Sequence, residues 1–435
     1  MRPGGGAQAL SRSAEGTAGE HAGDPGDGQA PLFAAPAVPV PEPSPPAAAP
    51  SDPGRAAATR DSGLRTTAGF EVVDELPVAS VRLVGVLPHL DRPFEYAVTP
   101  ETAAAGPGMR VRVRFSGKDT EGIVLARHAE PSTDRPLAPL HRLVSDDVVV
   151  PPALMRACED VAERCAGTVG DVLRLALPPR HARAEKSDRA AEAKDAERTA
   201  EAEEAERAAE APSAPAVDPS PPAEDAAPPA PRPGDRYPGL AALLSRAGSA
   251  TGPVPRATLT LDAADTWTTV AADAISDLDP ALGALVIAPD QRDVARMSRV
   301  LEDRGIAHEV LAGTEGPEKR YRTFRRILRG ATRVVLGNRS AAFAPVRNLA
   351  LAICWDEADD LLEEPRAPYP HTRDVATLRS SLDGTPLLLT SVDRTPEIAE
   401  LVRAGWAHEI RPEPGLVRSL APRVEIGRAS CRERV

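Results

Sequence analysis

Two low-complexity tracts confine what this chain can fold. Residues 1–77 are rich in Gly, Ala, Pro and Ser and show no apolar periodicity. Residues 184–235 pass from an Ala/Glu/Arg repeat at 190–211 into a Pro-rich half. Neither tract can bury enough apolar surface to offset the entropy of ordering it. The first reads as disordered and the second as a linker, its front half suited to an exposed helix with i,i+4 charge pairs and its back half extended. Two foldable stretches are left, 78–183 and 236–424, separate domains within a multidomain chain. The 435 residues hold 47 Pro and only 3% aromatics, so the usual length-based domain count overestimates the packed part.

Charge follows the same division. The net charge of −12 looks unfavourable for a nucleic-acid partner. The first tract carries 5 basic against 10 acidic residues and the second 6 against 14, which leaves the foldable remainder near +1. Global charge therefore neither supports nor excludes DNA. Four cysteines without a C-x-x-C spacing give neither a disulfide framework nor an expected metal site in this chain, and Cys158 and Cys165 read as buried on one helix face. The start, Met1-Arg2-Pro3-Gly4-Gly5, has no apolar core segment, and no run approaches the roughly 18 apolar residues that span a bilayer. The reading is a soluble cytoplasmic protein with no membrane contact.

In the first stretch, short alternating runs at Val81–Val86, Phe94–Val98, Met109–Phe115 and Gly122–Arg127 predict strands. A helix is expected after Pro151-Pro152, with Leu154, Met155, Cys158, Val161, Ala162 and Cys165 on its apolar face, and an apolar run, Val172–Leu177, ends at Pro178-Pro179. Arg110, Arg112 and Arg114 alternate along one strand and share a face, opposite Val111, Val113 and Phe115. Such a stripe suits either phosphate contact or a solvated strand face. Phe94 and Tyr96 also share a face, where a core role is the plain alternative.

The second stretch alternates apolar strands with helices. Strands are expected at Ala257–Leu261, Ala284–Ala288, His308–Leu311, Arg333–Leu336, Leu349–Trp355 and Pro386–Leu389. Helices are expected at Trp267–Ile275, Arg292–Arg304, Glu318–Arg329, Thr372–Ser381 and Pro396–Ala404. Continuous apolar strands with helical crossovers predict a doubly wound parallel sheet. Trp355-Asp356-Glu357-Ala358-Asp359-Asp360 follows one strand, at the edge where such sheets place ligands. In P-loop enzymes these carboxylates hold Mg²⁺ and orient water; a solvated helix start is the other reading. No phosphate loop accompanies them. After Ala257–Leu261 the chain reads Asp262-Ala263-Ala264-Asp265-Thr266-Trp267-Thr268-Thr269, without the glycines and lysine that cradle phosphates.

The order and spacing of several blocks carry a resemblance. Arg333 to Pro345, with Gly337-Asn338-Arg339-Ser340-Ala341-Ala342-Phe343-Ala344-Pro345 at its end, resembles the G-T-R-S-A-L-F-A-P segment of the PriA family of primosomal helicases. Asn348-Leu349 leads to Asp356-Glu357, where that family has D-E-E-H. Pro368 to Ala376 is similar to R-Y-H-A-R-D-V-A, and Thr390 to Glu397, which includes Asp393, stands at G-S-A-T-P-S. Arg92-Pro93-Phe94-Glu95-Tyr96 resembles the family's F-D-Y motif, Pro107 to Gly117 its G-x-R-V-x-V-x-F-G strand, and Gly170 to Pro178 its G-D-V-L…A-L-P.

The resemblance implies a β-rich N-terminal domain that holds the 3′ end of a nascent strand through Phe94, Glu95, Tyr96 and Gly117, with an aromatic ring stacked on the last base; the stripe of Arg110, Arg112 and Arg114, read from strand alternation, adds candidate DNA contacts. It implies a RecA-like lobe with Arg339 and Asp393 in helicase-motif positions. ATP as cofactor, branched DNA, other primosome proteins and single-strand-binding protein as partners, and zinc in a second lobe come with it. The sequence departs from the family in its degenerate phosphate loop, in a linker where a winged helix is usual, and in lacking the second lobe with its cysteines. High-GC actinobacterial members look similar in lacking helicase motifs. Asp356 and Glu357 are then vestigial. Residues 425–435 resemble translated adapter sequence and read as a non-native tail on a truncated gene product. The expectation is a replication-restart protein that binds forked DNA without a working helicase; an active ATP-dependent 3′–5′ helicase and a small-molecule enzyme on a doubly wound sheet are the alternatives.

Overall fold

The computed structural model describes residues 64–67, 69–188, 236–247, 252–262, 267–313, 316–412 and 414–420. The readings of 1–63, 189–235 and 425–435, and of loop residues 263–266, lie outside the described residues.

Five strands form the first sheet: β1 (Val78–Leu83), β2 (Pro93–Ala97), β3 (Met109–Phe115), β4 (Lys118–His128) and β5 (Leu140–Val148). Their order is β2-β1-β4-β3-β5, antiparallel throughout. Alternation sends Val81, Tyr96, Val111, Val113 and Val124 into one core. β5 has no counterpart among the predicted strands. His141, Arg142 and Asp146 are exposed along it, and two register shifts against β3 break its alternation.

Both expected boundaries of this stretch move outward. Leu64, Phe70 and Val72 pack against Val78, Ala97 and Leu137, and Val73 N–H donates to the Val98 carbonyl at 3.0 Å, so order begins before 77. A few apolar residues at the end of a low-complexity tract are enough to anchor it to an existing core. At the other end, helices α1 (Pro152–Arg164) and α2 (Val169–Ala176) are followed by α3 at 182–188, which overlaps the expected linker. Ala184 and Glu185 are buried there. Glu185 accepts from Arg180 Nε at 2.8 Å and from Ser145 Oγ.

The second sheet is wholly parallel, with order β12-β6-β11-β10-β7-β9-β8. Its strands are β6 (Arg256–Thr260), β7 (Gly283–Ile287), β8 (Glu309–Leu311), β9 (Val334–Gly337), β10 (Leu349–Trp355), β11 (Leu387–Ser391) and β12 (His408–Ile410). Helices α4 (Pro238–Leu244), α5 (Trp267–Asp277) and α6 (Gln291–Asp303) supply one core; α7 (Pro317–Arg329), α8 (Thr372–Asp383) and α9 (Pro396–Arg403) supply the other, and α10 (Pro414–Leu420) closes the described chain. The strands serve both layers by turns: Leu285 and Ile287 face the α7–α9 side, Ala284 and Val286 the α4–α6 side. That two-sided burial is why the strands read as continuous apolar runs.

The two sheets are not independent. Val149, Cys158, Val161, Val172 and Leu173 of the first region share a core cluster with Phe324, Phe343, Val375 and Leu389 of the lobe. Beside that core, Arg325 on α7 is 1% exposed and donates to Asp147 at 2.9 Å and to Asp188 at 2.9 Å. Arg329 also reaches Asp147, at 3.0 Å, and Arg322 reaches Asp188 at 2.9 Å. Burial favours the neutral form of Asp147, yet the hydrogen bonds from Arg329 and Arg325 outweigh it and hold the carboxyl below its ordinary pKa.

Candidate nucleic-acid interface

β2 is an edge strand, with Phe94 opposite Val81 and Glu95 opposite Ser80 on β1. Strand alternation puts Phe94 and Tyr96 on the core side and Glu95 on the other. Tyr96 is 4% exposed, and burial pushes its phenol up to about 12. This ring is core and does not offer a stacking surface, which corrects its placement among the DNA-contacting residues.

Phe94 is only half-buried. Its ring meets Phe115 edge-on, centroids 4.8 Å apart at 63°, and the Arg92 guanidinium lies 4.6 Å from its centroid. An exposed cation–π contact of this kind is worth on the order of 0.5–1 kcal/mol. The Glu95 carboxylate accepts the Ser132 backbone N–H with both oxygens, at 2.9 and 3.1 Å. One N–H leaves most of its lone pairs available to a further donor. Two residues past Phe115, Ser116 and Gly117 make the β3–β4 turn with φ of +47° and +77°. A side chain at Gly117 would meet nothing within 4 Å, so glycine is needed there for the backbone conformation alone. Phe94, Glu95 and the Phe115–Gly117 hairpin thus gather at one rim of the sheet.

The arginine stripe is less open than its spacing implies. Arg110 is 3% exposed and pairs with Glu121 at 3.4 Å. Arg112 stands between Asp119 at 3.7 Å and Glu121 at 3.9 Å. Only Arg114 is exposed and, among the described residues, without an ion-pair partner. The neighbouring strand β4 places its acids directly opposite, Glu121 to Arg112 and Asp119 to Arg114. A three-arginine phosphate face is corrected to one arginine.

In the lobe, Asp356 has φ of +47°, and its pKa is raised by burial and by Asp359, Asp293, Glu357 and Asp393. Glu357 is fully buried and accepts from Arg373 at 3.0 Å and Thr395 Oγ1 at 2.9 Å, so it ties together the N-terminal ends of α8 and α9. Arg339 donates to Glu364 at 3.0 Å and to the Leu361 carbonyl at 3.1 Å; Asp393 is exposed. Trp267, at the start of α5, stacks on Trp355 at the end of β10, with centroids 5.1 Å apart and planes 4° apart. Asp262 accepts from Arg236 at 2.7 Å and from the Tyr237 hydroxyl at 2.9 Å. Among the described residues, no three His, Cys, Asp or Glu side chains are grouped to hold a metal, and no helix is long and apolar enough to cross a membrane.

Sequence reasoning missed Arg92, Ser132 and the tryptophan pair. Arg92 was visible next to Pro93-Phe94, but its place over the ring is a tertiary fact. Ser132 lies 37 residues from Glu95, and Trp267 is 88 from Trp355; no local pattern joins either pair.

The rim coincides with a known domain. Residues 83–178 match the family model of the PriA 3′DNA-binding domain. Over 342 residues, 78% of this chain, it is 39% identical to the probable replication restart protein PriA of Mycobacterium leprae, covering 48% of that protein. The Mycobacterium tuberculosis (strain CDC 1551 / Oshkosh) relative is 40% identical over 346 residues, again 78% of this chain and 48% of the relative. Over most of its length this chain is similar to the PriA family. It spans about half the length of the curated relatives it matches. The match is not confined to mycobacteria: the Bacillus subtilis PriA is 30% identical over 147 residues, 31% of this chain and 18% of that protein. Among solved structures, the helicase domain of Pyrococcus furiosus Hef aligns with a TM-score of 0.30 at 13% identity, covering 45% of this chain and 41% of that one.

Proposed function

We propose that this chain grips the free 3′ end of DNA at forks during replication restart, and that its lobe serves as a scaffold without ATP turnover. The observation that carries the first half is the rim itself: a half-buried Phe94, a Glu95 carboxylate on the opposite side of an edge strand, and the open Ser116-Gly117 turn, all inside the stretch that matches a 3′DNA-binding domain. A nucleotide straddling the edge strand meets the aromatic with its base and the carboxylate with its 3′-hydroxyl. Arg114 supplies the accessible charge for the adjoining phosphates.

The second half rests on the lobe. A triphosphate needs a glycine loop and a lysine, and residues 262–269 contain neither. Asp262 is already held by Arg236 and Tyr237, and the stacked Trp267 and Trp355 stand at the ends of elements that would border a bound nucleotide. Asp290, Asp293, Asp356 and Asp359 add like charge against phosphate. These residues do not fit ATP. Assembly with other primosome proteins and single-strand-binding protein follows from the family and is part of the same proposal.

The test is fluorescence anisotropy of the full chain with a fork carrying a free 3′ end. Base–aromatic stacking is worth about 1–3 kcal/mol, so Phe94→Ala is expected to weaken binding roughly 5–150-fold. Unchanged affinity in Phe94→Ala would remove the rim as the binding site.

A further inference from the structure

We infer that Arg92 is a phosphate-binding gate for the last nucleotide, covering Phe94 in the free protein and turning to the terminal phosphodiester when DNA enters. The inference rests on the proposed 3′-end site and adds to it a residue that the motif does not assign.

Four observations place Arg92 in this role. Its guanidinium lies over the half-buried Phe94 ring, 4.6 Å from the centroid, so a base stacks on that face only after Arg92 moves. Arg92 is exposed and, among the described residues, has no carboxylate partner. The nearest acid in sequence is committed elsewhere: Asp91 accepts from Arg82 at 3.4 Å and from the Val169 N–H at 2.8 Å. The backbone is fixed while the side chain is free, since Arg92 N–H donates to Leu90 at 2.8 Å and Pro93 restricts the residue before it to extended conformations.

A fixed backbone with an unpaired guanidinium on a weak exposed contact lets the side chain leave at small cost. A phosphate offers the planar fork two oxygens, a stronger partner than a ring face. Ring and phosphate then exchange partners: the base takes the face that Arg92 vacates, and Arg92 neutralises the linkage that brought it. With Arg110 buried and Arg112 paired, Arg92 joins Arg114 and the exposed Lys118 of the β3–β4 hairpin as an accessible cation of the site.

The experiment uses the full chain and two fork DNAs that differ only in the 3′-terminal linkage, phosphodiester or neutral methylphosphonate. On the phosphodiester, Arg92→Ala is expected to weaken binding about tenfold, the size usual for a charged hydrogen bond, and to lower the salt slope by about one. On the methylphosphonate, wild type and Arg92→Ala are expected to bind alike. Equal weakening of both DNAs by Arg92→Ala, or no weakening of either, overturns the gate. Phe94→Ala separates the two proposals. If it weakens binding while Arg92→Ala shows no dependence on linkage, the end site stands and the gate fails. If neither substitution affects either DNA, both fail.

Discussion

At the residue scale, two neighbours in one motif do different work. Phe94 and Tyr96 look interchangeable in sequence, yet one is at the rim and the other is 4% exposed. Replacing a buried aromatic by Ala costs about 3–5 kcal/mol. Tyr96→Ala is therefore expected to lower the Tm and to reduce binding only through loss of folded protein, whereas Tyr96→Phe is expected to leave fork affinity unchanged. A Tyr96→Phe variant that folds normally but binds several-fold more weakly would restore the hydroxyl to the site. Asp356 gives a prediction of opposite sign. Its folded-state pKa is raised, so its charged form is disfavoured by folding, and stability is lost as pH rises through that pKa. Asn tolerates the left-handed backbone and removes the like charge. Asp356→Asn is expected to stabilise the chain by about 0.5–1 kcal/mol near neutral pH, measured by urea denaturation.

At the element scale, α7 is pinned to β5 and α3 by Arg325, Asp147 and Asp188. Breaking a buried pair leaves an uncompensated charge, so Arg325→Ala is expected to cost about 3–5 kcal/mol in denaturant unfolding. Asp147 has a lowered folded-state pKa. Its stabilisation is therefore complete above the ordinary carboxylate range and is lost as pH falls through and below it. In Arg325→Ala the part of the acid dependence that comes from Asp147 is expected to shrink; an unchanged acid limb would deny the pair its role. The parallel strands were legible because burial on both faces leaves no polar break, and β10 runs over Leu349–Trp355 in sequence and structure alike. β5 was not, because exposed His141 and Arg142 and its shifted register erase the period. In the candidate site, a motif singles out Phe94, Glu95 and Gly117 as candidates, but the pairing of Arg110 and Arg112 was not legible. It depends on which acids the adjacent strand places opposite them.

At the scale of the whole molecule, the end-binding sheet and the lobe share one apolar core through α1 and α2. Cutting the chain after 183 would expose Cys158, Val161, Val172 and Leu173 and remove the partners of Asp147. Residues 78–183 alone are expected to unfold at lower denaturant than the same residues in the full chain, where sheet and lobe melt in one transition. Two separate transitions in the full chain would show that the shared core does not couple them. The proposed rim site holds the DNA end and does not read duplex charge in general. It is tested most directly by titrating the full chain with two forks identical except for a 3′-hydroxyl or a 3′-phosphate. The Glu95 carboxylate accepts from a hydroxyl and repels a phosphate, so the hydroxyl fork is expected to bind about tenfold or more tightly, and Glu95→Gln to erase most of that difference. Equal affinity for the two forks, unmoved by Glu95→Gln, would contradict the end-binding site.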